Sequence, residues 1–183
     1  MKRIVLIIVI FFTISTSSSQ EVARKFLNEK KNELKIDMIR LLAEPSIEIE
    51  YERIISSLSS IGGLIKMGGG ADDFSRKFRL GGFYRGYFTQ SQEYGTKGFY
   101  GELMSGYYLG NEEIYYYDIA PENYPDDPIT YNGLEVGFKL GYKWVNRIGF
   151  LIQVDLGISR GFFKSDNSPE NFLLSGIKLG WRF

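Results

Sequence analysis

The strongest constraint on this chain is an alternation of apolar and polar residues with a period of two, which starts near residue 35. It is clearest at 134–144, where Leu, Val, Phe, Leu, Tyr and Trp alternate with Glu, Gly, Lys, Gly and Lys. Successive side chains of a β-strand point to opposite faces, so this pattern predicts strands with one apolar and one polar face. The predicted strands are 34–43, 46–54, 58–68, 77–89, 97–110, 131–144, 147–160 and 171–183.

The first of these strands has the least regular pattern. Ile36, Met38 and Leu42 fall on one face, but Arg40 falls on the same face. A β-bulge inserts one extra residue and reverses the alternation beyond it. We therefore expect a bulge near Arg40.

The number and length of the strands predict an all-β fold. All of them reach the roughly 9–11 residues that a tilted membrane strand needs, several run longer, and an even count is typical of bacterial single-chain barrels. The 13 Tyr, 14 Phe and 21 Gly suit strongly twisted β-structure. We expect a closed antiparallel up-and-down transmembrane β-barrel of about eight strands.

The first 19 residues have the organisation of a secretory signal peptide. Lys2 and Arg3 precede an apolar run at 4–14, and small residues follow at 15–19. The apolar run is shorter than the roughly 20 residues of a membrane-spanning helix, so we expect cleavage after Ser19. Residues 20–33 are then a short periplasmic segment, and residues 34–183 form the barrel domain.

Composition excludes several kinds of chemistry. The chain has no His and no Cys, so it cannot form a Ser-His-Asp triad, a thiol nucleophile or a thiolate metal site. The 22 basic and 22 acidic residues balance, and we expect no nucleic-acid partner. Glu48, Glu50 and Glu52 form a row that could serve as a general base or metal site, but we expect opposing Lys and Arg to neutralise it. We expect neither an enzyme nor a bound cofactor.

Alternation alone does not tell which face of the barrel is outside, since a soluble lipocalin-type barrel has an apolar interior. Three features favour an apolar exterior. Aromatic residues collect near strand ends, where they suit interfacial girdles, and glycines are frequent on the polar face. The last eight residues, Gly-Ile-Lys-Leu-Gly-Trp-Arg-Phe, form a strand that ends on Phe183. Connection lengths also alternate between short turns, at 55–57 and near Asn146, and longer segments such as 111–130.

The segment 174–183 resembles the C-terminal signature of outer-membrane barrels, which the barrel-assembly machinery reads, with Leu179, Trp181 and Phe183 as its apolar positions. With the signal peptide, the chain resembles the small eight-stranded barrels of the OmpA-barrel and OmpX type. That resemblance implies the outer membrane of a Gram-negative bacterium. It implies contact with outer-membrane lipid and with the assembly machinery during insertion.

The polar face carries nearly equal numbers of acids and bases, which predicts salt bridges across the lumen. Its charged residues are Lys35, Asp37, Glu48, Glu50, Glu52, Lys66, Arg79, Arg85, Glu102, Glu135, Lys139, Lys143, Asp155, Lys178 and Arg182. An interior of eight strands is just wide enough for side chains to fill. We therefore expect a closed lumen and a structural or surface-interaction role. A narrow gated pore for small solutes and a soluble lipocalin-like periplasmic binding barrel are the alternatives.

The connection 111–130 is acidic and rich in tyrosine. Tyrosine offers a large contact area at low entropic cost, so this loop is a candidate surface for an extracellular partner. The alternative is a plain extension of two strands with a solvated tip. The candidate binding residues are Tyr115, Tyr116, Tyr117, Asp118, Tyr124, Asp126 and Asp127.

Overall fold

The computed structural model describes residues 30–43, 46–68, 76–88, 90–91, 95–112, 129–146, 148–165, 168 and 170–183. The predicted signal peptide, residues 20–29 of the predicted periplasmic segment and the tyrosine-rich part of the loop at 113–128 lie outside the described residues.

The described chain is almost entirely β-structure. In order, it forms β1 (Asn32–Asp37), α1 (Met38–Ala43), β2 (Ser46–Ile54), β3 (Ser59–Gly68), β4 (Arg76–Tyr87), β5 (Gln90–Ser91), β6 (Gly95–Thr96), β7 (Gly98–Glu112), β8 (Ile129–Val145), β9 (Phe150–Phe162) and β10 (Asn171–Arg182). Eight of these strands close into an antiparallel barrel in the order β1-β10-β9-β8-β7-β4-β3-β2. β5 and β6 pair separately as a small hairpin. The predicted closed up-and-down barrel is confirmed.

The predicted strand 34–43 is wrong beyond Asp37, where the chain turns into α1. Asp37 Oδ1 accepts hydrogen bonds from the backbone N–H groups of Ile39 (2.9 Å) and Arg40 (3.2 Å), as a helix N-cap does. The helix, not a bulge near Arg40, resolves the irregular pattern of this segment. The first connection of the barrel therefore spans residues 38–45.

β4 contains a register shift that the alternation of the sequence does not reveal. Its register against β7 shifts between Arg76 and Phe78. The shift brings both Arg76 and Arg79 to the interior, although their spacing of three residues would place them on opposite faces of a regular strand.

The barrel has two different ends. The terminal rim, where β1 begins and β10 ends, carries the connections 55–58, 88–97 and 146–149. The far rim carries the connections 38–45, 69–75, 113–128 and 163–170. At the terminal rim, Asn146 Oδ1 accepts from three backbone N–H groups of the turn, at Ile148, Gly149 and Phe150. Gly149 has φ 105°, a conformation that favours glycine.

The two faces of the barrel differ in chemistry, although the lumen also holds an apolar cluster of Phe83, Met104 and Leu174. Charged side chains such as Arg85 and Lys143 are fully buried in the lumen, whereas Leu103 is 60% exposed and Ile158 is 67% exposed on the outside. The described part of the chain contains no helix that is long and apolar enough to cross a membrane.

Candidate functional site

The lumen is the candidate site, and it is filled with charged side chains. The structure places every charged residue predicted for the polar face, from Lys35 to Arg182, in this buried interior. It adds two that the sequence analysis missed, Glu33 and Arg76.

Glu52 lies at the centre of the cluster nearest the terminal rim. Its Oε1 accepts from Lys143 Nζ at 2.9 Å, from Ser60 Oγ at 2.5 Å and from Tyr87 Oη at 2.8 Å. Its Oε2 accepts from Lys35 and Arg85. A buried carboxylate is tolerated when several donors replace its lost hydration, and this one has five.

Arg85 connects β4 to carboxylates on two other strands. Its guanidinium donates to Glu52 and Glu102, and at 3.0 Å to Glu50 Oε1. The same group lies over the ring of Tyr100, 4.4 Å from the centroid, which adds a cation–π contact. Arg85 therefore holds β2, β4 and β7 together across the lumen.

A second cluster continues toward the middle of the barrel. Lys178 Nζ lies 2.5 Å from Glu50 Oε2 and 3.3 Å from Glu48 Oε1. Lys139 Nζ lies 2.7 Å from Glu102 Oε1. Because Glu50 and Glu102 also bind Arg85, this cluster is continuous with the one around Glu52.

A third cluster lies on the side of the lumen toward the far rim. Glu135 accepts from Arg76 (2.8 Å), from Arg79 (2.5 Å) and from Ser159 (2.6 Å). Beside it, the ring of Phe172 lies 4.4 Å from the Arg76 guanidinium carbon. Phe172 also packs edge to face on Tyr108, which packs on Tyr131.

The β5–β6 hairpin contacts the lumen at the terminal rim. Thr96, the last residue of β6, is fully buried. Its carbonyl oxygen and hydroxyl accept from Arg182 at 2.8 and 3.0 Å, and Arg182 Nε donates to Glu33 at 2.7 Å. The hairpin therefore attaches to the charged network at the mouth of the lumen.

Inward-facing glycines make room for aromatic rings. A Cβ at Gly141 would collide with the ring of Tyr100, and one at Gly62 with the ring of Phe83. These glycines let large side chains fill the interior.

The three glutamates of the row, Glu48, Glu50 and Glu52, all take part in salt bridges. Each of Glu48, Glu50 and Glu52 pairs with Lys or Arg side chains from other strands. Among the residues that the structure describes, no three acidic side chains are grouped so as to hold a metal ion. The row therefore has the partners of a salt-bridge network.

The other predicted residues fall into two sets. Leu179, Trp181 and Phe183 lie on the outer face at the terminal rim, where Trp181 and Phe183 are exposed. The candidate binding residues of the loop, Tyr115, Tyr116, Tyr117, Asp118, Tyr124, Asp126 and Asp127, lie outside the described residues.

No family model matches the chain. No curated protein matches it either.

Proposed function

We propose that this chain is an integral outer-membrane β-barrel with a lumen filled by ion-paired side chains. Its role is structural or surface-interacting, through the connections at the far rim. The observation that carries the proposal is the distribution of side chains, with charges buried inside and large apolar groups outside.

The outer face supports a lipid environment. Large exposed side chains such as Leu103, Phe138 and Leu156 lie on adjacent strands. Monomeric soluble proteins rarely expose contiguous apolar patches of more than a few hundred Å². Each barrel strand is also paired on both sides, so its backbone polar groups have the internal partners that lipid requires.

Aromatic residues at the terminal rim agree with this environment. Phe99 and Tyr142 pack edge to face on the outside, 4.9 Å between ring centroids, and Trp144 and Trp181 are exposed at the same rim. Tyr and Trp are enriched where a membrane meets water. We propose that this rim faces the periplasm, where the assembly machinery would meet Phe183.

The interior favours a closed cylinder over the two alternatives. A soluble lipocalin-like barrel needs an apolar cavity, but this lumen carries Arg85, Lys143 and Glu52 at its core. A pore for solutes needs a continuous aqueous path, but three clusters of buried, ion-paired side chains lie along the cylinder.

The membrane proposal is tested by expression of the full chain in a Gram-negative host. Fractionation should recover it with the outer membrane, extractable by detergent but not by salt or alkali. On gels, unheated protein should migrate faster than heated protein, because a closed barrel stays compact. Recovery of folded protein from the soluble periplasm without detergent would overturn the proposal.

The closed lumen and the loop are tested separately. Planar bilayers containing the purified protein should give no stable conductance steps, and reproducible open events would favour the gated pore. For the surface role, deletion of residues 113–127 should reduce cell adhesion or partner capture while heat-modifiable migration persists. Unchanged adhesion and capture would argue against a partner at this loop.

A further inference from the structure

The outer face of the barrel contains an oblique groove. Its volume is about 610 Å³, and its lining includes Leu80, Gly82, Ser105, Leu134, Val136 and Phe162. Most of the outer face carries large apolar side chains, so a depression here needs a local cause.

The groove exists because two neighbouring outward positions lack bulk. Gly82 of β4 and Ser105 of β7 are register partners. A Cβ added at Gly82 would come no nearer than 3.7 Å to another atom, so the space above it is open. Leu80 and Leu134 stand along one side of this space.

The register gives the groove a direction. Ser105 pairs with Val136, Val136 with Arg160, and Arg160 with Asn171. Asn171 is the first residue of β10, so this row reaches the far rim at Arg160. At its other end the row lies deep in the apolar face, at Gly82. The groove therefore runs from the far rim into the apolar belt.

The rim end of the groove combines aromatic and basic groups. Phe163 lines it, is 90% exposed and has φ 46°, a conformation that is unfavourable for a bulky residue. Lys164, which follows Phe163, donates to the carbonyl oxygen of Ser168 at 2.8 Å, whereas Arg160 is exposed and its guanidinium carbon lies 5.9 Å from the ring centroid of Phe162. Arg160 pairs with Glu170, but both side chains are more than half exposed, and such surface pairs are weak. A phosphate can therefore compete for the Arg160 guanidinium.

We propose that this groove binds a lipid with an anionic phosphate headgroup, with one acyl chain along Gly82 and Ser105 and the phosphate at Arg160. The proposal rests on the membrane location proposed above and names a lipid that the barrel holds. The apolar walls match the acyl chain, and the exposed Arg160 guanidinium matches the phosphate. The Phe163 ring then contacts the part of the acyl chain nearest the headgroup instead of water.

The test is native mass spectrometry of the full chain in detergent, titrated with dioleoyl phosphatidylglycerol. The wild type should retain one lipid more tightly than the rest. Gly82→Leu fills the groove and should weaken this binding about tenfold. The matched control is Gly86→Leu, which also faces outward from β4, where nothing lies within 4 Å of an added Cβ. It should bind as the wild type does.

The headgroup is tested in parallel. Arg160→Gln should weaken binding about tenfold, as expected for loss of a charge-assisted hydrogen bond. Lys77→Gln, which removes another exposed base near the far rim, should not. Dioleoyl phosphatidylcholine should bind more weakly than phosphatidylglycerol. Inorganic phosphate at matched ionic strength should not displace the lipid.

The outcomes separate the lipid site from the membrane location. Equal binding by Gly82→Leu and Gly86→Leu, or full displacement by inorganic phosphate, would overturn the groove as an acyl site. Equal binding by Arg160→Gln and wild type would overturn the headgroup assignment. A dimer that forms with the wild type and Gly86→Leu but not with Gly82→Leu would show that a second copy of the chain, and not a lipid, occupies the groove. In each case, heat-modifiable migration and detergent extraction of the variants would leave the membrane proposal intact.

Discussion

Arg182 Nε donates to Glu33 Oε1 at 2.7 Å, and the two residues are also register partners across the seam where β10 meets β1. The same guanidinium donates to Thr96 of the β5–β6 hairpin. One side chain therefore joins the closing strand pair of the barrel to the β5–β6 hairpin at the terminal rim.

Replacing Arg182 with Gln should destabilise the barrel by about 3 kcal/mol, because a buried carboxylate loses part of its compensation. Glu33 keeps Lys143 at 2.8 Å, which limits the loss. The free energy of unfolding in urea, measured in detergent micelles, checks this. Arg53→Gln is the control, since Arg53 is exposed at the same rim and should change little. A similar loss in both variants would contradict a specific seam contact.

Glu52→Gln should cost about 3–5 kcal/mol, because Arg85, Lys35 and Lys143 would share a neutral amide in place of a charge. Glu170→Gln removes a carboxylate from an exposed pair and should cost about 0–1 kcal/mol. The temperature at which the unheated gel form disappears gives a second readout. If Glu52→Gln were as stable as Glu170→Gln, the cluster would contribute nothing net.

Gly141→Val should destabilise the barrel by about 1–3 kcal/mol through overpacking against the ring of Tyr100. Adding Tyr100→Ala should recover part of that loss. Recovery would be partial, because an added Cβ also lies 2.7 Å from the carbonyl oxygen of Val154. The outward Gly86→Val is the matched control. Unfolding curves in which both valine variants behave alike would refute the tight fit of ring and glycine.

Asp37→Ala should cost about 1 kcal/mol by removing the N-cap of α1. Asp37→Asn should retain most of the stability, because the capping contact uses a single oxygen, Oδ1. Hydrogen exchange at the amides of Ile39 and Arg40 should quicken in the Ala variant and stay slow in the Asn variant. Equal exchange in both would mean that Asp37 does not hold the helix.

The strands could be predicted because alternation is a local property of the sequence. The predicted range 46–54 matches β2, and the strands from 131 onward differ from the structure by at most a few residues. The same alternation also predicted which charged residues face the lumen. The parity of Lys35 and Asp37 extends to Glu33, which was missed because the predicted strand began one residue later.

The remaining features depend on interactions that the alternation does not encode. α1 follows from a cap at Asp37 within a segment whose residues also suit a strand. Arg76 faces inward because the register of β4 shifts after it. Which acid meets which base depends on the stagger of strands around the cylinder, and Lys178 reaches Glu50 across 128 positions of chain.

The strand order has a consequence for how the molecule forms. If the β5–β6 hairpin is set aside, all barrel pairings but one join barrel strands that are consecutive along the chain, while the seam joins Glu33 to Arg182 across 149 positions. Contacts between residues so far apart in sequence form slowly, because bringing the two ends of the intervening chain together costs conformational entropy. Until then β1 and β10 are bare edges that can recruit other chains. The hazard of misassembly is therefore kinetic and concentrated in a single closing step, whatever the equilibrium stability of the finished cylinder.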